Sequence, residues 1–466
     1  MEDNKLKELK DELLFTQKNA AVERSDEQIA EADAYAEGYK TFLDIAKTER
    51  LAVEEAIRLA EAEGFAPFDR TKPLKAGDKI YVNNRGKAVI FAVIGTKPLS
   101  EGVSIAAAHV DSPRLDLKPN PMYEKAGMVY FDTHYYGGIK KYLYATVPLA
   151  LYGTVSLKDG STVDIAIGDK EEDPVFVVTD LLIHLSREQM QKTASNVVSG
   201  ENLDILIGSR PFDHSKESNA IKLNIMKILN ERYGITEADF LSAELEAVPA
   251  GKARDIGFDR SLIGGYGHDD RVCAYPALTA LFALENPAYT AITLLCDKEE
   301  IGSDGATGTK GLFFPYFMED LAELQGVRSR HVLSKSLCLS ADVNSAYDPL
   351  YASAYSEQNS SFINCGVVLT KYTGSGGKGG SNDASAETMG RFRRIMDAGD
   401  VIWQIGELGA VDAGGGGTVA KYIAQLDVDT VDLGVPVLSM HAPFEVISKL
   451  DLYETHRAFY ALLNRN

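Results

Sequence analysis

Four strand-length apolar runs in this chain stop on residues that carry chemistry. Val103–His109 ends on a histidine, residues 291–296 lead into Asp297-Lys298-Glu299-Glu300, residues 336–341 end on Asp342, and residues 431–440 end on His441. Runs of this length bounded by turn residues read as buried strands. A further strand is expected at 362–369. Helix-length segments at 271–284, 311–325, 384–407 and 448–463 separate them. This alternation predicts an α/β fold: a mixed central sheet with helices on both faces.

The chain up to about Phe65 reads as helix, with Ile29, Ala32, Ala36, Tyr39, Phe42 and Leu43 at helical spacing. Asn83-Asn84-Arg85-Gly86 then divides two apolar runs, 79–82 and 88–94, as in a hairpin. Between 113 and 254 the texture turns β-rich. Runs 146–156 and 162–167 flank Asp159-Gly160, a second hairpin signal, and an acidic loop spans 169–174. Helical pieces are expected near 187–193 and 220–233. The expected organisation is a discontinuous α/β domain, 1–112 and 255–466, interrupted by a β-rich insertion, 113–254. Glycine clusters at 374–380 and 414–417 read as loops.

The formal net charge of −20 argues against a nucleic-acid partner. Cys273, Cys296, Cys338 and Cys365 are far apart and form no Cys-x-x-Cys pair, so reduced core thiols in a cytoplasmic protein are expected. The N-terminal stretch Met1-Glu-Asp-Asn-Lys-Leu-Lys-Glu8 has no apolar core of a signal peptide, and no apolar stretch is long enough to span a bilayer.

The adjacent carboxylates Glu299 and Glu300 would repel each other where an apolar strand ends, unless a positive charge sits between them. A metal ion is the simplest candidate, with one Glu as ligand and the other as proton carrier. In an extended chain His109 and Asp111 share a side, so Asp111 can orient the imidazole; a core histidine with an Asp cap is the alternative. Asp269 and Asp270 precede a helix starting near Arg271, and suit either an ordinary N-cap or a carboxylate shared by two metals. Asp342 stands where α/β sheets bind ligands, or is a turn residue. His441 closes its own run. His134, His214, His331 and His456 lie in polar settings and read as surface residues, while His268, next to Asp269, is open to either reading. Two histidines and three carboxylates suit a pair of Zn²⁺, Mn²⁺ or Co²⁺ ions better than a structural zinc site. Such a pair, ~3.5–4 Å apart, would activate a water and polarise a carbonyl. Glu299 would take the proton as general base.

These segments, in this order, resemble the aspartyl aminopeptidase-like family of dinuclear zinc metallo-aminopeptidases. The resemblance runs over nearly the whole chain. It is carried by Ala108-His-Val-Asp-Ser-Pro-Arg-Leu-Asp-Leu-Lys-Pro119, Asp269-Asp270, Asp297-Lys-Glu-Glu-Ile-Gly-Ser303, Ser340-Ala-Asp342 and Pro436-Val-Leu-Ser-Met-His-Ala-Pro-Phe-Glu445. It implies that His109 and Asp342 hold one metal, Glu300 and His441 the other, and that Asp269 bridges them. It implies Glu299 as general base and Asp111 as the residue that orients His109. It also implies that the insertion serves self-association, commonly into a tetrahedral homododecamer. His184, in Asp180-Leu-Leu-Ile-His-Leu-Ser-Arg187, would reach a neighbouring subunit's site and stabilise the tetrahedral intermediate; a buried core histidine is the other reading of its apolar flanks.

Two features depart from the family pattern. Asp-Asn is common at the bridging position, where this chain has Asp269-Asp270. The glycine-rich stretch 371–383 differs from the Tyr-Ala-Thr-Asn type of acid-specific members, with Lys371 and Lys378 as candidates to pair with an acidic side chain. The expected activity is metal-dependent release of N-terminal residues from short peptides. The alternatives are a metal-dependent carboxypeptidase or deacylase, and a non-catalytic assembly protein that keeps the fold.

Overall fold

The computed structural model describes residues 2–374 and 376–466. Met1, at the head of the N-terminal stretch, and Ser375, in the 371–383 stretch, lie outside the described residues. Nine strands make the central sheet, in the order Ala66–Pro67, Lys79–Asn84, Ala88–Val93, Thr290–Cys296, Val103–His109, Leu337–Ala341, Asp429–Gly434, Val367–Thr370 and Trp403–Ile405. The four middle strands, from Thr290–Cys296 to Asp429–Gly434, run parallel. Antiparallel neighbours flank them on either side. Parallel strands covered on both faces bury every side chain, so they appear in sequence as unbroken apolar runs. Every residue of Val103–His109, Thr290–Cys296 and Leu337–Ala341 is indeed buried.

One face packs against helices Asp26–Ile45, Glu49–Ala62, His268–Phe282, Ala386–Ala398 and Lys449–Leu463 around Phe42, Leu278, Phe392 and Phe459. The other packs against Phe313–Leu324, Ser329–Leu333 and Ala420–Ala424 around Ile105, Phe317, Met318 and Ile423. The long first helix of this set starts on a capping box, Ser25 with Gln28, which satisfies amides at the exposed end. No helix among the described residues is long and apolar enough to cross a membrane.

A second sheet of seven strands lies between Arg114 and Pro249. Its last strand, Ala243–Pro249, pairs with both Arg114–Lys125 and Pro148–Ser156, which closes six of the strands into a ring. The ring has its own apolar core, with Leu115, Phe131, Leu149 and Phe240. A five-stranded sheet, Arg254–Ile256, Leu262–Gly265, Glu445–Ser448, Pro436–Leu438 and Asn344–Ser345, completes the β structure.

Both predicted hairpins are present, Lys79–Asn84 with Ala88–Val93 and Pro148–Ser156 with Thr162–Ile167. Three elements differ from expectation. The helix expected over 384–407 ends at Ala398; Gly399 and the left-handed Asp400 (φ 50°) turn the chain, and Trp403–Ile405 becomes an edge strand. The run 431–440 divides between two sheets, because Pro436 has no N–H with which to continue the first ladder. The piece expected near 187–193 is a single 3-10 turn, Gln189–Gln191.

Candidate metal centre

The parallel register aligns the carboxyl ends of the middle strands, with Cys296 paired to His109 and the Asp342 amide bonded to the Leu433 carbonyl at 2.9 Å. Chains leaving these strands deliver Glu299, Glu300 and Asp342 beside His109. Asp269 and Asp270 come from the start of the His268–Phe282 segment, which takes helical backbone angles only from Arg271. No first-turn amide among the described residues donates to either carboxylate, so neither caps this helix. His441 follows the Pro436–Leu438 strand of the small sheet.

Two contacts to backbone carbonyls, the first of them buried, set the histidine tautomers. His109 Nδ1 lies 3.0 Å from the backbone carbonyl of Asp111, and His441 Nδ1 lies 2.7 Å from the carbonyl of Gly138. A carbonyl only accepts, so each Nδ1 carries its proton. The neutral ring would then point an Nε2 lone pair inward. What it meets are more acceptors. His109 Nε2 is 3.2 Å from Asp269 Oδ1 and 3.6 Å from Asp342 Oδ1. His441 Nε2 is 3.1 Å from Asp269 Oδ2 and 3.6 Å from Glu300 Oε1. One carboxylate therefore faces two imidazoles, one through each oxygen. His109 Nε2, Asp269 Oδ1, Asp270 Oδ1 and Glu300 Oε1 are buried with no hydrogen-bond donor.

Acceptors so crowded need protons or cations. Without metal, protons take that place. Burial favours a neutral ring at His109, but contacts to Asp111, Asp269 and Asp342 outweigh it and raise its pKa well above the usual value. The same opposition, with Asp269 prevailing over burial, raises His441 to about 11. Burial opposes charge on Asp269 too, yet the two imidazoles hold its carboxyl well below the usual range. Burial pushes up Glu300 and Asp342. Burial and the charge of Asp342 push Glu299 up to about 8.

The donor set fits divalent metal. Ligand atoms of His109, Glu299 and Asp342 lie within 4.8 Å of one another, as do those of His109, Asp269 and Glu300 and those of Asp269, Asp270 and Asp342. Mixed imidazole and carboxylate donors suit zinc and its neighbours in the first transition row. Asp269, Glu299, Glu300, Asp342 and His441 line one cavity of about 1380 Å³.

The structure brings together six of the residues singled out from sequence, and places Asp111 directly behind them. The Asp111 carboxylate is 3.4 Å from His109 Nδ1, and its closer partners are the Tyr136 hydroxyl at 2.9 Å and the amides of Glu299 and Glu300, each at 3.1 Å. His184 is not brought to this centre. It stands exposed in the 3-10 turn Ile183–Leu185, which removes the core-histidine reading. His268 is buried against Tyr39, its Nδ1 2.7 Å from the phenol oxygen. His456 is half-buried rather than freely exposed: it bonds Thr279 at 2.9 Å and stacks on Tyr453. Lys371 and Lys378 both pair with Asp383.

Three supporting groups were missed. Glu445 is buried and accepts the amides of Asp269 at 3.1 Å and His441 at 2.7 Å, tying the two segments together. Gly138 holds His441 as described, and the Tyr136 hydroxyl donates to Asp111 Oδ2 at 2.9 Å. Glu445 had a faint signal, as an acid four residues past the histidine.

A sheet whose carboxyl ends gather histidines and carboxylates around orphaned lone pairs has the make-up of a metal-dependent hydrolase. Comparison with known proteins carries this to a family. The family model described as Aminopeptidase I zinc metalloprotease (M18) matches residues 42–462. A probable M18 family aminopeptidase 1 from Clostridium acetobutylicum is 48% identical over 461 residues, covering 97% of this chain and 99% of the relative. The crystal structure of an M18 aminopeptidase from Thermotoga maritima superposes with a TM-score of 0.92 at 42% identity, over 97% of this chain and 100% of that one. The yeast mApe1 dodecamer, at 19% identity, over 92% of this chain and 95% of that one, and with a TM-score of 0.75, shares the fold. The chain belongs to the M18 family of zinc aminopeptidases. It is thus a peptide hydrolase of a family whose members bind divalent metal, which weighs against the carboxypeptidase, deacylase and non-catalytic alternatives.

Proposed function

We propose that this protein releases N-terminal residues from short peptides with a pair of divalent ions, zinc foremost, held between its histidines and carboxylates. One observation carries the reading: Asp269 presents Oδ1 to His109 at 3.2 Å and Oδ2 to His441 at 3.1 Å, with no donor between them. In this assignment His109 and Asp342 hold one ion, Glu300 and His441 the other, and Asp269 bridges. Asp269 is preferred to Asp270 as the bridge because Asp270 Oδ2 is engaged by the His109 amide at 3.3 Å. Ions so held would lower the pKa of a water and polarise the scissile carbonyl.

The chain's own residues do the rest. Glu299 takes the proton from the attacking water and returns it to the leaving amine. Burial raises its proton affinity above that of an ordinary carboxylate, the direction a base near neutral pH needs. Asp111 orients His109 through its carbonyl, and Glu445 holds the amides of Asp269 and His441. The cavity walls, which include Gly138, Ile139, Lys140, Thr418 and Tyr422, bind and orient the peptide.

The division into a catalytic domain (1–112 and 255–466) and an assembly insertion (113–254) belongs to the same reading. Leu181, Leu182, Ile183 and Leu185 stand 45%, 53%, 72% and 67% exposed around His184. A run of exposed apolar side chains suits contact with another copy, in which His184 would serve a neighbour's site. A dodecamer, as in the yeast relative, and its tetrahedral form are the proposed assembly. Four free, buried cysteines support a cytoplasmic setting.

The test is hydrolysis of Asp, Glu, Leu and Lys p-nitroanilides by chelated protein reloaded with Zn²⁺, Mn²⁺ or Co²⁺. N-acyl amino acids serve as the competing substrate class. Metal-restored release of p-nitroaniline at two ions per chain supports the reading. Hydrolysis confined to N-acyl substrates, or one ion per chain, overturns it.

A further inference from the structure

The ring-forming unit reaches the metal centre through three consecutive residues, Tyr136, Gly137 and Gly138, at the end of its strand Met128–Tyr136. The Tyr136 hydroxyl donates to Asp111 Oδ2 at 2.9 Å. That carboxylate also accepts the Glu299 amide on Oδ1 and the Glu300 amide on Oδ2, while the carbonyl of the same residue holds His109. Asp111 is therefore a node that joins one histidine to the turn bearing both glutamates. Gly137 packs against Glu300: a Cβ on it would sit 3.1 Å from Glu300 Oε2. Gly138 fixes His441.

Tyr136 is itself held firmly. The Arg114 guanidinium lies 3.9 Å from its ring centroid. Arg114 is in turn fixed by Glu49 at 3.2 Å, Asp116 at 2.8 Å and Glu246 at 3.1 Å. Burial and the neighbouring Asp111 charge keep the phenol far from ionising, so its oxygen stays a donor.

We propose that Tyr136 is a positioning residue for the metal centre: through Asp111, its hydroxyl fixes the orientation of His109 and of the Glu299–Glu300 turn. The β-rich unit thereby shapes metal binding directly, apart from any part it plays in assembly. This rests on the two-metal reading of the same site. The competing view is that Tyr136 only fills space under Arg114, in which case its ring matters and its hydroxyl does not.

Full-length Tyr136→Phe separates the two views. The readouts are zinc affinity of chelated protein against a competing chelator, kcat and KM on the best p-nitroanilide, and melting of the metal-free protein. Loss of a group behind a ligand typically weakens metal binding by 10–100-fold. The expected result is at least about tenfold weaker zinc binding, a fall in kcat at little-changed KM, and an unchanged metal-free melting temperature. In an Asp111→Asn background the same substitution should change zinc affinity little further, because the node is already broken. Wild-type zinc affinity in Tyr136→Phe, or an equal loss in both backgrounds, would overturn the proposal. If the Phe variant melts early, the two-background comparison still decides, since a packing defect acts alike in both. Failure of the wild-type protein to bind zinc would instead remove the two-metal reading, and this proposal with it.

Discussion

Asp432 offers a test of the electrostatics around the cavity at a residue that is not itself a proposed metal ligand. It lies on the Asp429–Gly434 strand, in register with Ser340 on one neighbour and Thr370 on the other, and lines the cavity. The Thr418 hydroxyl donates to its Oδ1, while Oδ2 and the Ser340 hydroxyl are both buried without partners. Burial pushes its pKa up from 3.8 to about 7. The folded state thus keeps a proton that the unfolded chain gives up near 3.8. The associated stability is complete below 3.8 and is lost as the pH climbs through about 7. At 1.36 kcal/mol per unit, the loss is about 2 kcal/mol at pH 5 and about 4 kcal/mol at pH 8. Asp432→Asn removes the titration, keeps an acceptor for Thr418 and turns a donor towards Ser340. At ~2.1 cal/mol/K per residue, the melting entropy of a chain this long is about 1 kcal/mol/K. The variant should therefore melt about 2 °C above wild type at pH 5 and about 4 °C above it at pH 8. Calorimetric scans of metal-free protein at both pH values measure this. A gap that does not widen with pH, or a variant that melts below wild type at pH 8, refutes the reasoning.

Glu299→Gln should retain metal binding while kcat falls by about 10²–10⁴, the usual range for loss of a general base; metal analysis beside steady-state kinetics reads both, and normal turnover would reject the base assignment. Zinc added to chelated protein should release protons, because His441 holds one up to about 11 and Glu299 up to about 8. Apparent affinity should accordingly rise from pH 6 to pH 8, and titration calorimetry in two buffers of unlike ionisation enthalpy counts the protons; equal heats would contradict the exchange. Gly137→Ala should cost about 1–2 kcal/mol, because φ is 73° there, and should weaken zinc binding through the crowding of Glu300; a melt and a chelator competition test the two halves separately.

Much of this centre can be read from sequence, for a reason specific to parallel sheets. A strand covered on both faces carries few charged residues until the sheet opens to solvent, so the His, Asp and Glu residues that follow the run mark the crevice. His109, Asp342 and the Glu299–Glu300 pair were found that way. His441 obeys the rule less directly. Its run changes sheets at Pro436, so the sequence shows one strand where the fold has two. Asp269 starts a helix, where an acid is also the commonest cap, and no local pattern separates the two roles. The supporting contacts were hidden for another reason. Glu445 acts on the amides of residues 269 and 441, Asp111 on those of 299 and 300, and Gly138 offers a carbonyl. Every residue but proline carries an amide and every residue a carbonyl, so no residue type announces such a bond. Tyr136 comes from a different sheet altogether, and its partner is known only once the ring is docked. Residues at strand ends are legible because burial leaves a trace in composition; the groups that orient them leave none, and a metal centre needs both.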